Sequence, residues 1–411
     1  MKIIVATIGS RGDVQPYINL CQGLQQAGHE VALATNPTLC SLADSYGVKS
    51  VPVGPAVDMG AIGAQLMARS FNNMWIGMIR VMQFAGKLIE EAYPDVLTVC
   101  QGADLVITSD TGSGIAEAEK LNIPWISVTL QPGRIPMTNA EPSFVARLVW
   151  SVLGKLFIAP TNRFRKRVGA PLVKDIGSMM SSRQILLPVS RHVAASDSRW
   201  PHYVRQTGYW FARELKDWQP PQDLSDFLAN GEKPVVVSLG VMSNSGKQAR
   251  QSAQIVLKAI ERAKVRAVIQ GWDDALNERE LPPNIYHAGG LPHSWLFGQA
   301  SLVIHHGGFG TTAETLRQGV PAIVVPHVID QFYWGQRVFE LGVGPKFISR
   351  GKLNVENLSE AILQTMNDDL MQGKASELGR KIRAEEDGVT TAVQVIEKFC
   401  KDEIGRLKDN V

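Results

Sequence analysis

Cysteine is scarce in this chain. The four present in 411 residues, Cys21, Cys40, Cys100 and Cys400, include no C-x-x-C pair and lie far apart, which argues against a zinc site or a disulfide scaffold. They read as reduced, buried thiols of a cytosolic protein. Excess charge is equally small: 42 Lys and Arg against 39 Asp and Glu leave a net +3, too little to imply nucleic acid as a partner. No run reaches the roughly 18 uninterrupted apolar residues a membrane-crossing helix requires. The nearest, 143–160, is broken by Arg147 and Lys155. The apolar start, Met1 to Gly9, is too short for a signal peptide and runs straight into helix-forming sequence, so it is read as a first strand. Also missing is a G-x-G-x-x-G turn. The first turn reads Gly9-Ser10-Arg11-Gly12, and the second strand ends at Thr35-Asn36 with no acid for a ribose, both against a dinucleotide oxidoreductase.

What is present is ordinary globular composition, 45% hydrophobic and 20% charged, in a chain too long for one core. Two domains of about 200 residues each are expected. Lys2 to Thr7 has the continuous apolar pattern of a strand buried on both faces. A helix from about Pro16 to Ala27 follows, with proline in its first turn and Gly28 as its stop. Glu30 to Ala34, Leu105 to Thr108 and Trp125 to Leu130 continue as strands, with a helix at Gly114 to Leu121. A charged, proline-ended stretch around 209–222 reads as a linker. The plan then restarts with strands at Pro234 to Leu239, Val265 to Gln270, Leu302 to Ile304 and Ala322 to Val325. The fold class is therefore α/β, with two facing Rossmann-like domains, 1–208 and 223–390, across an interdomain cleft. Residues 391–411 are expected to form a helix packing back toward the first domain. Open α/β sheets bind ligands at the carboxyl ends of their strands, which is where chemistry is sought.

The most informative stretch is Ile304-His305-His306-Gly307-Gly308-Phe309-Gly310-Thr311-Thr312. A strand, a glycine-rich turn and a helix start leave backbone N–H groups pointing outward with a favourable dipole, which makes an anion site. The sequel, Val325-Pro326-His327-Val328-Ile329-Asp330-Gln331, delivers a carboxylate and an amide suited to neighbouring sugar hydroxyls. Each piece alone has a plainer reading: a strand-ending His pair, a tight turn, a helix cap.

Together, His305 through Gln331 resemble the donor-binding signature of the inverting family 1 glycosyltransferases of the GT-B fold, most closely the bacterial and sterol-type members. The resemblance implies that His305, rather than His306, contacts a diphosphate, and that Gly308, Phe309, Gly310 and Thr311 cradle it. Asp330 and Gln331 would hold the sugar. Gly290-Leu291-Pro292-His293 looks like the nucleobase segment, with the Leu291 backbone and His293 as contacts. Ser238-Leu239-Gly240-Val241 departs from relatives that carry a hydroxyl after the glycine; Gly240 keeps its backbone contact. Near the N-terminus, Gly9-Ser10-Arg11-Gly12-Asp13-Val14-Gln15-Pro16 resembles the start of sterol and antibiotic glycosyltransferases, which makes Asp13 the candidate base. Its plainer role is a helix N-cap. Plant relatives place a histidine there, assisted by an acid corresponding to Asp110. Here no histidine stands at that place, so Asp110 keeps only an orienting role.

On this resemblance the chain transfers a hexose, glucose from UDP-glucose, with inversion, to a hydroxyl of a sterol, lipid or polycyclic natural product. His305 and the helix N-terminus, helped by Ser10 or Arg11, meet the leaving charge without a metal, and the Asp-x-Asp metal motif is absent. A dTDP-deoxysugar or rhamnose donor is the alternative, and a non-catalytic sugar-nucleotide binder is the alternative of another class. An apolar stripe through Met67, Phe71, Met74, Trp75, Met78 and Met82 is core by default and offers acceptor walls in Met74, Trp75 and Met78. A second stripe, Phe144 to Phe157, followed by Arg163-Phe164-Arg165-Lys166-Arg167, reads first as a packed helix with a solvated charge run, and second as a peripheral contact with an anionic membrane surface.

Overall fold

The computed structural model describes every residue except 59–61, 63–73, 139–157, 176, 213–217, 241–245, 277–279, 328 and 410–411. The chain forms two compact units. The first comprises Met1–Ile62, Leu66–Phe211 and Glu386–Val411; the second comprises Gly63–Gln65 and Ala212–Glu385.

In the first unit seven parallel strands lie in the order β3-β2-β1-β4-β5-β6-β7. They are β1 (Lys2–Ala6), β2 (Glu30–Thr35), β3 (Ser50–Pro52), β4 (Leu105–Thr108), β5 (Trp125–Val128), β6 (Ile185–Leu187) and β7 (Val204–Gln206). The central strands are apolar on both faces because helices cover both. Ile4, Ala6, Ala34 and Val106 pack against Ala92 and Val96 of the helix Met74–Cys100. The terminal helix Gly388–Asp409 belongs to this unit, and Val389 lies directly over Gly23 of the helix Arg11–Gln26.

The second unit repeats the plan with five parallel strands in the order β10-β9-β8-β11-β12. These are β8 (Val235–Ser238), β9 (Ala267–Gln270), β10 (Ile285–Ala288), β11 (Leu302–His305) and β12 (Ala322–Val324). Two α/β units with parallel sheets are what the alternation of strands and helices predicts.

Several expectations are corrected. The first helix begins at Arg11, not Pro16, with Ser10 as its N-cap and Pro16 inside it. Proline there cannot donate to the carbonyl one turn back, yet its ring is buried with Val14, Tyr17 and Ile18, and that packing carries the helix through. Within the expected linker, Tyr209 and Trp210 are core residues of the first unit, while 213–217 lie outside the described residues. Cys40 is part-exposed, unlike the other three thiols, and all four are free.

Of the two apolar stripes, Met67, Phe71 and 144–157 fall outside the described residues, as do the side chains of Met74, Trp75, Met78 and Met82. The charge run after the second stripe is not simply solvated. Phe164 packs edge-on against Tyr93 at 5.3 Å, Arg165 is buried and paired with Glu119, and Arg167 pairs with Glu90. Among the described residues no helix is long and apolar enough to cross a membrane.

Candidate active site

In each unit the sequence-selected polar residues gather at the carboxyl ends of the strands. In the first unit β1 runs into Gly9 and the helix Arg11–Gln26. Asp13 is not the N-cap but the third residue of the helix, in a capping-box arrangement with Ser10. Its Oδ2 accepts from the Ser10 N–H at 2.8 Å and from the Ser10 hydroxyl at 2.8 Å. A helix N-terminus favours a carboxylate in its first turn. Gly9 makes room for it: a Cβ there would stand 2.6 Å from both Cβ and Oδ2 of Asp13. Asp13 and Arg11 are exposed, and Ser10 is half-buried.

Asp110 follows β4. Its Oδ2 accepts from the Leu130 N–H at 3.0 Å and the Thr129 hydroxyl at 3.2 Å, and its Oδ1 lies 3.8 Å from Arg134. Burial raises its pKa, against the pull of Arg134, the Leu130 N–H and Thr129. Asp110 therefore ties the end of β4 to the segment after β5. Tyr17, which sequence reading did not single out, is buried in the same unit. Only 1% of it is exposed, its ring meets Trp210 edge-on at 6.2 Å, and its hydroxyl has no hydrogen-bond partner. Burial, then the charges of Asp110 and Asp13, hold its phenol well above the usual range, so it stays protonated.

In the second unit β11 ends at His305, and Gly308 caps the helix Phe309–Gln318. The first N–H groups of this ten-residue helix point toward the strand ends, where an anion is favoured. His305 is fully buried. Its Nδ1 accepts from the Gly307 N–H at 3.0 Å, which fixes the proton on Nε2, and that nitrogen is buried without a partner. His306, the next residue, turns to the opposite side of the strand end and is half-buried. Its ring is flanked by Gly240 and Gly308, where any Cβ would collide with it. Burial pushes His306 down to about 4 and His305 well below its usual value, the latter helped by the neighbouring His306 and His293. Both imidazoles are neutral near pH 7.

His293 Nε2 lies 3.0 Å from Gln270 Oε1 and 3.3 Å from the Ser238 hydroxyl, and its ring stacks on Phe297 at 4.4 Å. Gln270 in turn donates to the Leu291 carbonyl at 3.0 Å. The Leu291 carbonyl is thus engaged within the unit, through a glutamine that the motifs did not point to. Gln331 is 5% exposed, and its Oε1 accepts from the His327 N–H at 2.7 Å, so it braces the loop after β12. Asp330 beside it is half-buried. Gly310 is exposed and Thr311 buried, with its carbonyl taken by the Thr315 hydroxyl at 2.8 Å. Glu314, one turn further on, is also buried, and its carboxylate accepts from Gln318 at 2.6 Å.

Comparison with known proteins bears on both units. Residues 3–135 match the model of the glycosyltransferase family 28 N-terminal domain, and residues 255–398 match that of the erythromycin biosynthesis protein CIII-like C-terminal domain. A sterol 3-beta-glucosyltransferase of Aspergillus oryzae is 34% identical over 426 residues, which take in 96% of this chain and 30% of that protein. The chain thus spans about a third of the length of the curated relatives it matches. Among solved structures, the glycotransferase of kitacinnamycin superposes with a TM-score of 0.76 at 21% identity, over 97% of this chain and 99% of that one. The spinosyn rhamnosyltransferase SpnG, complexed with thymidine diphosphate, gives 0.66 at 18% identity, over 97% of this chain and 100% of its own.

Proposed function

This chain belongs to the family 1 glycosyltransferases of the GT-B fold, and from that premise we propose that it moves a hexose from a nucleoside diphosphate onto a hydroxyl of an apolar acceptor. Glucose from UDP-glucose and a sterol-like acceptor are the favoured pair, because the curated relatives similar over 96% of the chain are named as sterol 3-beta-glucosyltransferases. The observation that carries the reading is the pairing of a helix N-terminus with neutral, unpaired imidazole at the end of β11, which suits a diphosphate bearing growing negative charge.

In the reaction the acceptor oxygen attacks the anomeric carbon. The bond to the diphosphate oxygen breaks, and the acceptor proton passes to Asp13. An alcohol is a weak acid, so the carboxylate takes the proton late, as the new C–O bond forms. A single displacement inverts the anomeric centre. The N–H groups of Phe309, Gly310 and Thr311 receive the leaving diphosphate, with no metal required, and Ser10 or Arg11 adds to that stabilisation. Of the two histidines, His306 makes the direct contact: its half-buried ring against Gly308 favours it over His305, reversing the order that the resemblance implies. His305 stands behind it as a buried N–H donor. Asp330 and Gln331 hold the sugar, and Leu291 with His293 the base. Asp110 orients the segment after β5.

A second donor class has its own support. A dTDP-sugar is favoured by the likeness to SpnG, whose structure carries thymidine diphosphate. The deciding experiment incubates the protein with radiolabelled UDP-glucose, dTDP-glucose or dTDP-rhamnose and a panel of sterols, flavonoids and hydroxy-lipids. An acceptor-linked β-glucoside from UDP-glucose is the expected product. Binding of donor without any linked product across the panel would leave a sugar-nucleotide binder in its place.

A further inference from the structure

Four residues from three strand ends meet at the carboxyl edge of the second sheet. Ser238 closes β8 and Gln270 closes β9, and they are register neighbours in parallel strands, so their side chains stand on one face. On its other side Gln270 is paired with Ala288 at the end of β10, whose methyl group leaves the glutamine a path toward the segment after that strand. Gly271 and Trp272 follow with φ of 94° and 64°, and two successive left-handed residues turn the chain sharply away. The amide of Gln270 then binds with both ends. Its Nε2 donates to the Leu291 carbonyl at 3.0 Å, and its Oε1 lies 3.0 Å from His293 Nε2 and 3.3 Å from the Ser238 hydroxyl. A carbonyl only accepts, so the glutamine nitrogen faces Leu291 and its oxygen faces His293. An amide oxygen also only accepts, so His293 carries a proton on Nε2. The stack on Phe297 holds the same ring from its face. Neither bond of Gln270 belongs to a sheet ladder or a helix; what they hold is the segment Gly290-Leu291-Pro292-His293.

We propose that Gln270 is the positioning residue of the nucleobase segment: it holds the Leu291 carbonyl and His293 in one arrangement against the strand ends, and so sets a preference for a uracil or thymine base. A carbonyl has two lone pairs, of which Gln270 takes one; the other remains for a base N–H. Uracil and thymine carry that hydrogen at N3, whereas cytosine, close to them in size, has a lone pair there. Gln270 touches no reacting atom, so its effect falls on donor binding and not on the chemical step. The role rests on the reading of Leu291 and His293 as the contacts of the base.

The test titrates the full chain with UDP, dTDP, CDP and inorganic pyrophosphate by calorimetry. Gln270→Leu should weaken UDP or dTDP, whichever the unaltered protein binds more tightly, about tenfold, the worth of one to two hydrogen bonds. Pyrophosphate, which has no base, should bind as before, and the preference for that nucleotide over CDP should shrink. In turnover with the corresponding glucose donor and cholesterol, KM should rise with kcat nearly unchanged, the pattern of lost uniform binding. Equal losses for nucleotide and pyrophosphate mean that Gln270 only holds the unit together, and the proposal fails. A preference for the nucleotide that Gln270→Leu leaves intact overturns the proposal and spares the base reading. An unaltered protein that binds no nucleotide better than pyrophosphate removes the base reading and the proposal with it. The contact itself is checked with 15N-labelled histidine. Eight histidines are present, and the His293 lines are identified by their disappearance in His293→Gln. Gln270→Glu should move the Nε2 line, because an amide oxygen becomes a carboxylate; a line that stays in place overturns the contact whatever the affinities show.

Discussion

The two units share a scaffold and differ in the chemistry at its rim. Each is a parallel sheet whose first strand lies centrally and whose strand ends carry the polar residues. In the first unit, where Tyr17 is buried, those residues are acids, Asp13 and Asp110. In the second they are imidazoles, His293, His305 and His306, beside a helix N-terminus. Burial acts on both sets by the same rule, penalising charge, yet with opposite results. It raises the pKa of Asp110 and lowers those of His305 and His306. A buried acid keeps the means to take a proton, and a buried imidazole becomes a neutral donor. The same burial thus leaves a more basic carboxylate in one unit and neutral imidazoles in the other, decided by which residue type stands at a strand end.

The comparison is broken most severely at Asp13. Asp13→Asn keeps an acceptor for the Ser10 N–H, so the helix should survive. As the base it should lose 10²- to 10⁴-fold in turnover, a range typical of general-base catalysis, with UDP binding intact. An acceptor of lower pKa, such as an activated phenol, should recover part of the rate. No recovery in steady-state assays with the phenol would count against the base assignment.

In the second unit, His306→Ala should reduce transfer roughly a hundredfold, the scale of losing one preorganised donor to developing charge. His305→Ala should cost less in rate and more in stability, since its ring is fully buried. Turnover paired with a thermal melt of each variant separates these, and a severe rate loss confined to His305→Ala would restore the order that the resemblance implies.

Opposite pKa directions predict opposite pH limbs of stability. Glu117 is buried in the first unit and raised to about 7, mainly by burial. Its unfolded form ionises near pH 4.5, so stability from this group is greatest at low pH and is lost as pH climbs toward 7, by roughly 3 kcal/mol. His306, lowered to about 4 by burial, protonates more readily when unfolded. Its contribution is present above about pH 6.5 and lost as pH falls toward 4, by a similar amount. Glu117→Gln should therefore raise the urea midpoint more at pH 8 than at pH 5. A gain at pH 5 instead would contradict the sign.

The smallest effect is expected at Gln331. Gln331→Ala should weaken use of the preferred sugar donor about fivefold, the worth of one hydrogen bond, while free UDP binds nearly as before. Equal losses for both in calorimetric titrations would limit Gln331 to bracing the His327 loop.

Much of this was legible in order and type. The central strands are continuous apolar runs, and the glycine-rich turn after β11 announces a helix N-terminus wherever it occurs. The edge strands β3, β7 and β10 escaped because they are only partly buried and carry no continuous apolar run, and the three-residue β6 escaped with them. Pro16 was misread because proline is enriched at a helix start, whereas here the core covers it inside the helix. Arg165 looked solvated because a run of charges usually is, whereas Glu119 and the Pro171 carbonyl hold it inward.

The sequence by itself determined the two parallel α/β units and the residue types at their strand ends, because hydrophobic continuity and glycine placement act locally. Tertiary structure alone decided which of two adjacent histidines is sealed, since successive residues face opposite sides of a strand and the covering helix is set by distant chain. It also decided that the hydroxyl of Tyr17, one more core aromatic in the sequence, is buried without a hydrogen-bond partner. Burial, and the pKa shifts that follow from it, depend on packing from segments far along the chain, and no local pattern carries that information.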